Sequence, residues 1–169
     1  MPVRTATASD APSIAQIHVE TWRVAYRGQM PDAVLVALNA KRTTVIWQER
    51  LTQKRGQVFV AEDGGRVVGF CDLIPSRDKD VQPEVVAEIA AIYVLPEHWR
   101  QGVGRMLCHS ALVEAGRRGY QVVTLWVLAS NIAARHFYAA MGFSLDGATK
   151  VEKATDGSRL HHVRFRMAI

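Results

Sequence analysis

His98-Trp99-Arg100-Gln101-Gly102-Val103-Gly104-Arg105-Met106-Leu107 lies between an apolar, strand-like segment and a strong helical pattern. Two glycines one residue apart admit φ values that other residues avoid and let backbone come close to a ligand. Helical spacing starts at once, with Val103, Met106, Leu107 and Ala111 on one face, so the free N–H groups of the helix head point back at the loop. That combination makes an anion site and points to a phosphate-bearing cofactor.

Upstream, Glu84–Val94 reads as a long strand rich in Val and Ile, ended by Pro96, and Arg77–Pro83 as a polar loop. Val58–Ala61 and Arg66–Ile74 flank Asp63-Gly64-Gly65, a hairpin signal. Val3–Ala6 is a short first strand. Ser9 or Asp10 then caps a helix that has Pro12 in its first turn and Ile14, Ile17, His18, Thr21, Trp22 and Ala25 at helical spacing. Gly28 stops it, and a second helical region runs with breaks from Pro31-Asp32 through Trp47 and Leu51.

Downstream, the glycine-led helix stops near Gly119. Val122–Leu128 is a continuous apolar run, as expected of a strand buried on both faces. Asn131–Met141 is helical with Gly142 as its stop. Strands over Ser144–Lys153 and Arg159–Met167 flank the turn signal Thr155-Asp156-Gly157-Ser158. The order β-α-α-β-β-β-α-β-α-β-β predicts a mixed α/β (α+β) domain around one central sheet, and residues 1–169 read as a single domain without linker or repeat.

The bulk numbers exclude several classes. The chain has 169 residues, 49% hydrophobic and 22% charged, which describes a globular protein with a core rather than a disordered one. No apolar stretch is long enough to span a bilayer and the N-terminus lacks a signal-peptide core, so a cytoplasmic location is the expectation. Cys71 and Cys108 read as free and buried, and no Cys/His spacing suggests a metal. On a strand, His161 and His162 point to opposite faces. The formal charge of +5 is scattered and lacks aromatic interleaving, so it suits an anionic cofactor better than nucleic acid.

Three phosphate-binding motifs compete for the glycine loop. A P-loop needs Gly-Lys-Ser/Thr where Gly104 is followed by Arg105-Met106, and a dinucleotide fingerprint needs a third glycine where Leu107 stands. The third fits: Glu88-Ile89-Ala90-Ala91-Ile92-Tyr93-Val94-Leu95-Pro96-Glu97 followed by Gly102-Val103-Gly104-Arg105-Met106-Leu107 resembles the central motif of the GNAT superfamily of acyl-CoA-dependent N-acyltransferases, Arg/Gln-x-x-Gly-x-Gly/Ala. Asn131-Ile132-Ala133-Ala134-Arg135-His136-Phe137-Tyr138 with Met141-Gly142-Phe143 resembles the second signature, Asn-x-x-Ala-x-x-Phe-Tyr…Gly-Phe. Both occur in the family's order, and the resemblance covers essentially the whole chain. One departure is Trp99, where the family has Arg or Gln.

The resemblance implies a central, mostly antiparallel mixed sheet flanked by helices, and acetyl-CoA as cosubstrate without a metal. It implies that backbone amides of Gln101, Gly102, Val103, Gly104 and Arg105 take the pyrophosphate. It also implies that Ile92, Tyr93 and Val94 hydrogen-bond the pantetheine arm through their backbone, with the Val94 amide facing the thioester carbonyl. Asn131, Ala134 and Tyr138 lie at i, i+3 and i+7, so one helical face carries all three toward the cofactor, with Tyr138 as general acid for the departing thiolate. Glu88, a charge inside an apolar strand, is placed to accept the amine's proton directly or through water, or else simply to pair with a base. Trp22, Arg23, Tyr26 and Arg27 form an aromatic-basic patch where the family walls its acceptor, or else Trp22 is core and the arginines are solvated surface; on the first reading Arg23 and Arg27 would favour a carboxylate-bearing amine. His98 is a candidate proton shuttle or an exposed loop residue, and Trp126 reads as packing.

The expected activity is direct acetyl transfer to a primary amine of a small molecule or peptide. The alternative is a domain of the same fold that holds acyl-CoA as a sensor or interaction module without turnover; the presence of Asn131, Tyr138 and Glu88 weighs against it. The last strands of this fold often pair between subunits, which makes a homodimer a candidate assembly.

Overall fold

Seven strands share one sheet in the computed structural model, which describes residues 1–53, 56–154 and 156–169. They are β1 (Val3–Thr5), β2 (Gln57–Asp63), β3 (Arg66–Pro75), β4 (Val86–Val94), β5 (Val122–Leu128), β6 (Ser144–Lys153) and β7 (Arg159–Ala168), in spatial order β1-β2-β3-β4-β5-β7-β6. Every pairing is antiparallel except β4 with β5. The helices are α1 (Ala11–Ala25), α2 (Asp32–Ala37), α3 (Ala40–Thr52), α4 (Val103–Arg117) and α5 (Ile132–Ala140).

The second helical region expected from sequence is two helices. Leu38 and Asn39 are extended, and the Asn39 side chain accepts from the Lys41 and Arg42 amides to start α3. The start of α1 also differs from expectation. Asp10 does not cap it; its carboxylate folds back to the Thr7 amide and to Arg4, where it is held at a pKa of about 2 by the Arg4 hydrogen bond. In the β6–β7 connection Thr155 lies outside the described residues, while Asp156 accepts from the Ser158 amide and Gly157 has φ 82°.

Alternation along the strands sorts side chains to two faces. Phe70 and Leu73 of β3, Ile14 and Ile17 of α1, and Leu107 of α4 are no more than 1% exposed. Each such burial contributes about 1.5–3 kcal/mol. Close approach sets one position that carries no motif: a Cβ on Gly69 would sit 3.1 Å from the Tyr93 carbonyl oxygen, Leu107 and Val94.

The feature that positions the site is a split. β4 and β5 pair only at Val86–Glu88 against Val122–Thr124. Beyond that point β4 stays paired to β3 as far as Val94, and β5 to β7 as far as Leu128. The facing edges of the two central strands therefore part, leaving backbone groups of β4 without a neighbouring strand.

Candidate active site

The glycine loop meets the head of α4 beside this split. Gly102, the residue before the helix, has φ 85°, and Arg100 has φ 63°, the only non-glycine residue described with a positive φ. No backbone or side-chain partner is described for the amide N–H groups of residues 100–105, and no side chain caps the helix. A 15-residue helix thus presents converging donors at its positive end. Gly104 differs from Gly102: a Cβ there would touch the Phe137 ring at 3.4 Å, an ordinary contact distance. Gln101 turns its side chain away, donating to the Glu97 carbonyl at 2.9 Å.

The end of β4 faces the split in alternation. Leu95 donates to the Val68 carbonyl, and Tyr93 stands opposite Phe70, so Tyr93 spends its backbone groups on β3 while Ile92 and Val94 turn theirs toward β5. The expectation that all three backbones are available is thereby corrected to two. Trp99, the departure from the family pattern, has a visible role: its indole N–H donates to the Val94 carbonyl at 2.6 Å, where Thr21 also donates at 3.1 Å.

A β-bulge, which no sequence signal announced, re-aims the rest of β4. Asp72 pairs with Ala91 and the next residue, Leu73, with Ile89, so Ala90 is the extra residue. Glu88 and Tyr93 are five apart and would face opposite sides of a regular strand. With the bulge they lie opposite Ile74 and Phe70, which are four apart in β3, and so share the face covered by α1. Glu88 is 2% exposed, and both its oxygens are taken: Arg77 donates from Nε at 3.1 Å, from Nη2 at 2.5 Å and from its backbone amide at 3.2 Å. Glu88 is thus an ion-paired carboxylate held by Arg77. Behind it, Arg50 binds Asp72, whose pKa is raised by burial.

Tyr138 enters from the opposite face, packed against Phe137, Phe143 and Phe165 with ring centroids 5.0–6.3 Å away. No hydrogen-bond partner is described for its hydroxyl, and burial pushes its pKa well above the usual phenol, so it stays protonated at neutral pH. Asn131 is the N-cap of α5, its side-chain oxygen accepting from the Ala134 amide at 3.1 Å, so that oxygen is already engaged.

The patch on α1 divides. Trp22 and Tyr26 stack edge-on at 5.2 Å and lie beside Tyr93, and the Trp22 indole N–H is buried without a hydrogen-bond partner. Arg23 is committed to the Leu35 and Leu38 carbonyls at the end of α2, which removes it as an acceptor-binding cation; Arg27 is exposed. His18, read only as a core position, sits among Trp22, Trp47 and Tyr93 and accepts from the Trp47 indole at 3.2 Å. Burial lowers its pKa to about 4. His98 lies beside Asp63 of the β2–β3 hairpin, 3.4 Å away, rather than at Glu88 or Tyr138. Trp126 is more than packing, donating to Asp78 at 3.0 Å. No cluster of three metal-binding side chains occurs among the described residues, and no described helix is long and apolar enough to cross a membrane.

A split sheet with unclaimed amides at one end suits a group transferase that binds an anionic carrier. Comparison with known proteins gives the family. The model of the acetyltransferase (GNAT) family matches residues 12–143. An uncharacterized N-acetyltransferase of Bacillus subtilis, YuaI, is 35% identical over 130 residues, covering 76% of this chain and 72% of that protein. A probable N-acetyltransferase of Mycobacterium tuberculosis is 28% identical over 98% of this chain and 92% of its own length. Among solved structures, a putative acetyltransferase of Salmonella typhimurium, determined with its cofactor acetyl-CoA, superposes with a TM-score of 0.75 at 22% identity, over 99% of this chain and 93% of that one. The chain belongs to the GNAT acetyltransferase family, and the enzyme is an N-acetyltransferase.

Proposed function

We propose that the enzyme moves the acetyl group of acetyl-CoA directly to a primary amine of a small molecule or peptide. The observation that carries this reading is the set of unclaimed amides at residues 100–105 beside the open edge of β4. The donors fit a pyrophosphate, with Gln101 to Arg105 as its holders. Ile92 and Val94 fit an extended amide-bearing arm lying along β4, and acetyl-CoA supplies the activated acyl group there.

On this reading the Val94 amide donates to the thioester oxygen as negative charge gathers on it, and Trp99 and Thr21 fix that stretch of backbone. The amine nitrogen bonds to the acetyl carbon, the carbon–sulfur bond breaks, and Tyr138 gives its proton to the departing thiolate. The proton lost by the amine reaches solvent through water at Glu88, whose two oxygens are already held by Arg77, and an equivalent proton restores Tyr138. Trp22, Tyr26 and Tyr93 wall the acceptor. Incubating the protein with acetyl-CoA and a panel of amines while following free thiol tests the proposal. Thiol release with at least one primary amine supports it. Stabilisation by acetyl-CoA with no release under any amine would favour a non-catalytic acyl-CoA sensor.

A further inference from the structure

The loop between β3 and β4 has little backbone of its own to hold it. Residues 77–81 turn at Lys79–Asp80 outside any strand ladder; the flanking backbone ties are Ser76 to Val86 before them and Val85 to Gln82 after them. Side chains hold the segment instead, and adjacent residues reach in opposite directions. Arg77 reaches the floor of the sheet and gives Glu88 its backbone amide as well as its guanidinium. Asp78 and Asp80 reach the far wall.

Both meet Arg164 of β7. Its side chain is 8% exposed and contacts three carboxylates: Asp78 at 3.0 Å, Asp80 at 2.7 Å, and Asp146 of β6 at 2.7 Å. Trp126, opposite Arg164 in the β5–β7 pairing, shares Asp78 through its indole N–H. The guanidinium holds the Asp80 carboxyl below the usual carboxylate range. Glu88 pairs with Thr124, so Trp126 and Leu128 of β5 lie on the same face as Glu88, and Leu128 packs with Trp22 and Tyr26. The loop therefore crosses the face that α1 walls.

We infer that Arg164 is a positioning residue: by anchoring Asp78 and Asp80 it fixes the loop that carries Arg77, and through Arg77 it fixes Glu88. The inference rests on the acetyl-transfer reading for its kinetic consequence, but the anchoring is a separate statement. Without Arg164, three carboxylates crowd one aromatic wall with no shared counter-charge, and the Arg77 amide loses the loop geometry that aims it at Glu88.

Hydrogen exchange of the full chain, read on peptides covering residues 76–85, tests the anchoring. Kinetics with saturating acetyl-CoA and a turned-over amine test the consequence. In Arg164→Met, exchange across the loop should rise at least tenfold and kcat/KM for the amine should fall at least tenfold, while the Kd for acetyl-CoA stays within twofold. The paired change Asp78→Asn with Asp80→Asn leaves Arg164 in place and should reproduce both effects even if Arg164→Met folds poorly. Arg164→Lys, which keeps the charge but cannot span three carboxylates, should fall between. Unchanged loop exchange in the paired variant would overturn the anchoring. Faster exchange with unchanged kcat/KM, or a parallel loss of acetyl-CoA affinity, would overturn the positioning role. An unaltered protein that turns over no amine would count against acetyl transfer itself, and the exchange data would still decide the anchoring.

Discussion

The two walls of the split between β4 and β5 are built by different means. The proposed cofactor wall is backbone: free amides at residues 100–105 and the outward edge of Ile92 and Val94. The proposed acceptor wall is side chain: Glu88 under Arg77, Arg164 among three aspartates, and the Trp22–Tyr26–Tyr93 group beside a neutral His18. A backbone wall tolerates substitution of most side chains and is sensitive only where φ or close approach demands glycine. A side-chain wall depends on charge and protonation, and can be retuned for a new acceptor without touching the carrier site.

The largest difference should appear with pH. Burial holds His18 near pKa 4 in the folded protein, against about 6.5 when unfolded. Between those values the unfolded chain takes up a proton that the folded one refuses. Stability is therefore full above pH 6.5, falls as pH drops toward 4, and is level below it. The window is worth up to about 3 kcal/mol. Urea unfolding at about pH 7, 5.5 and 4.5 should show that slope in the native protein and a flatter one in His18→Gln. Equal slopes would place the acid sensitivity elsewhere, His162, whose pKa burial also lowers, being the next candidate.

Two substitutions separate chemistry from binding on the two sides. Tyr138→Phe keeps the ring among Phe137, Phe143 and Phe165 and removes only the unpartnered hydroxyl. It should lower kcat about 10²-fold with little change in KM for acetyl-CoA; an unaltered kcat would remove Tyr138 as the acid. Glu88→Gln should lower kcat/KM for the amine by about tenfold. The accompanying loss of stability should be modest, about 1–2 kcal/mol, because Arg77 is largely solvent-exposed and regains water. An unchanged kcat/KM would assign Glu88 to holding Arg77 alone.

On the backbone wall, Gly102→Val forces a β-branched residue to φ 85°, at a cost of about 1–2 kcal/mol. The strain falls on the loop, so the Kd for acetyl-CoA should rise about tenfold while the amine's KM is unchanged. Isothermal titration with acetyl-CoA reads the first, and a rise confined to the amine would contradict the division between the walls.

The same contrast explains what could be read from residues alone. Glycine spacing and apolar periodicity are local signals, so the loop, α4, α5 and the strands were legible. Ion pairs join residues far apart in the chain, such as Arg164 with Asp78 and Asp80, and nothing in composition pairs them. Nor does Ala90 look like a bulge: it arises from how β3 and β4 register, yet it decides that Glu88 and Tyr93 face one way. Arg23 follows the same rule. Its position near the acceptor wall was evident, but its commitment to the α2 carbonyls depends on where that short helix ends.

Arg100 gives the smallest effect and the sharpest view of the cofactor wall. It sits at φ 63° in a loop whose donors are all backbone, and its side chain has no described partner. Glycine adopts that φ without the Cβ penalty, so Arg100→Gly relieves strain, while the unfolded chain gains entropy that offsets part of the gain. The net change should be a stabilisation of no more than about 1 kcal/mol, measurable as a small rise in Tm. If the wall is backbone alone, the amide of residue 100 stays where it was and the Kd for acetyl-CoA moves by less than about twofold. A larger loss would mean that the strained φ exists to aim the guanidinium at the phosphates. The cofactor wall would then share the side-chain logic of the acceptor wall, and the strain at Arg100 would be the cost of that contact.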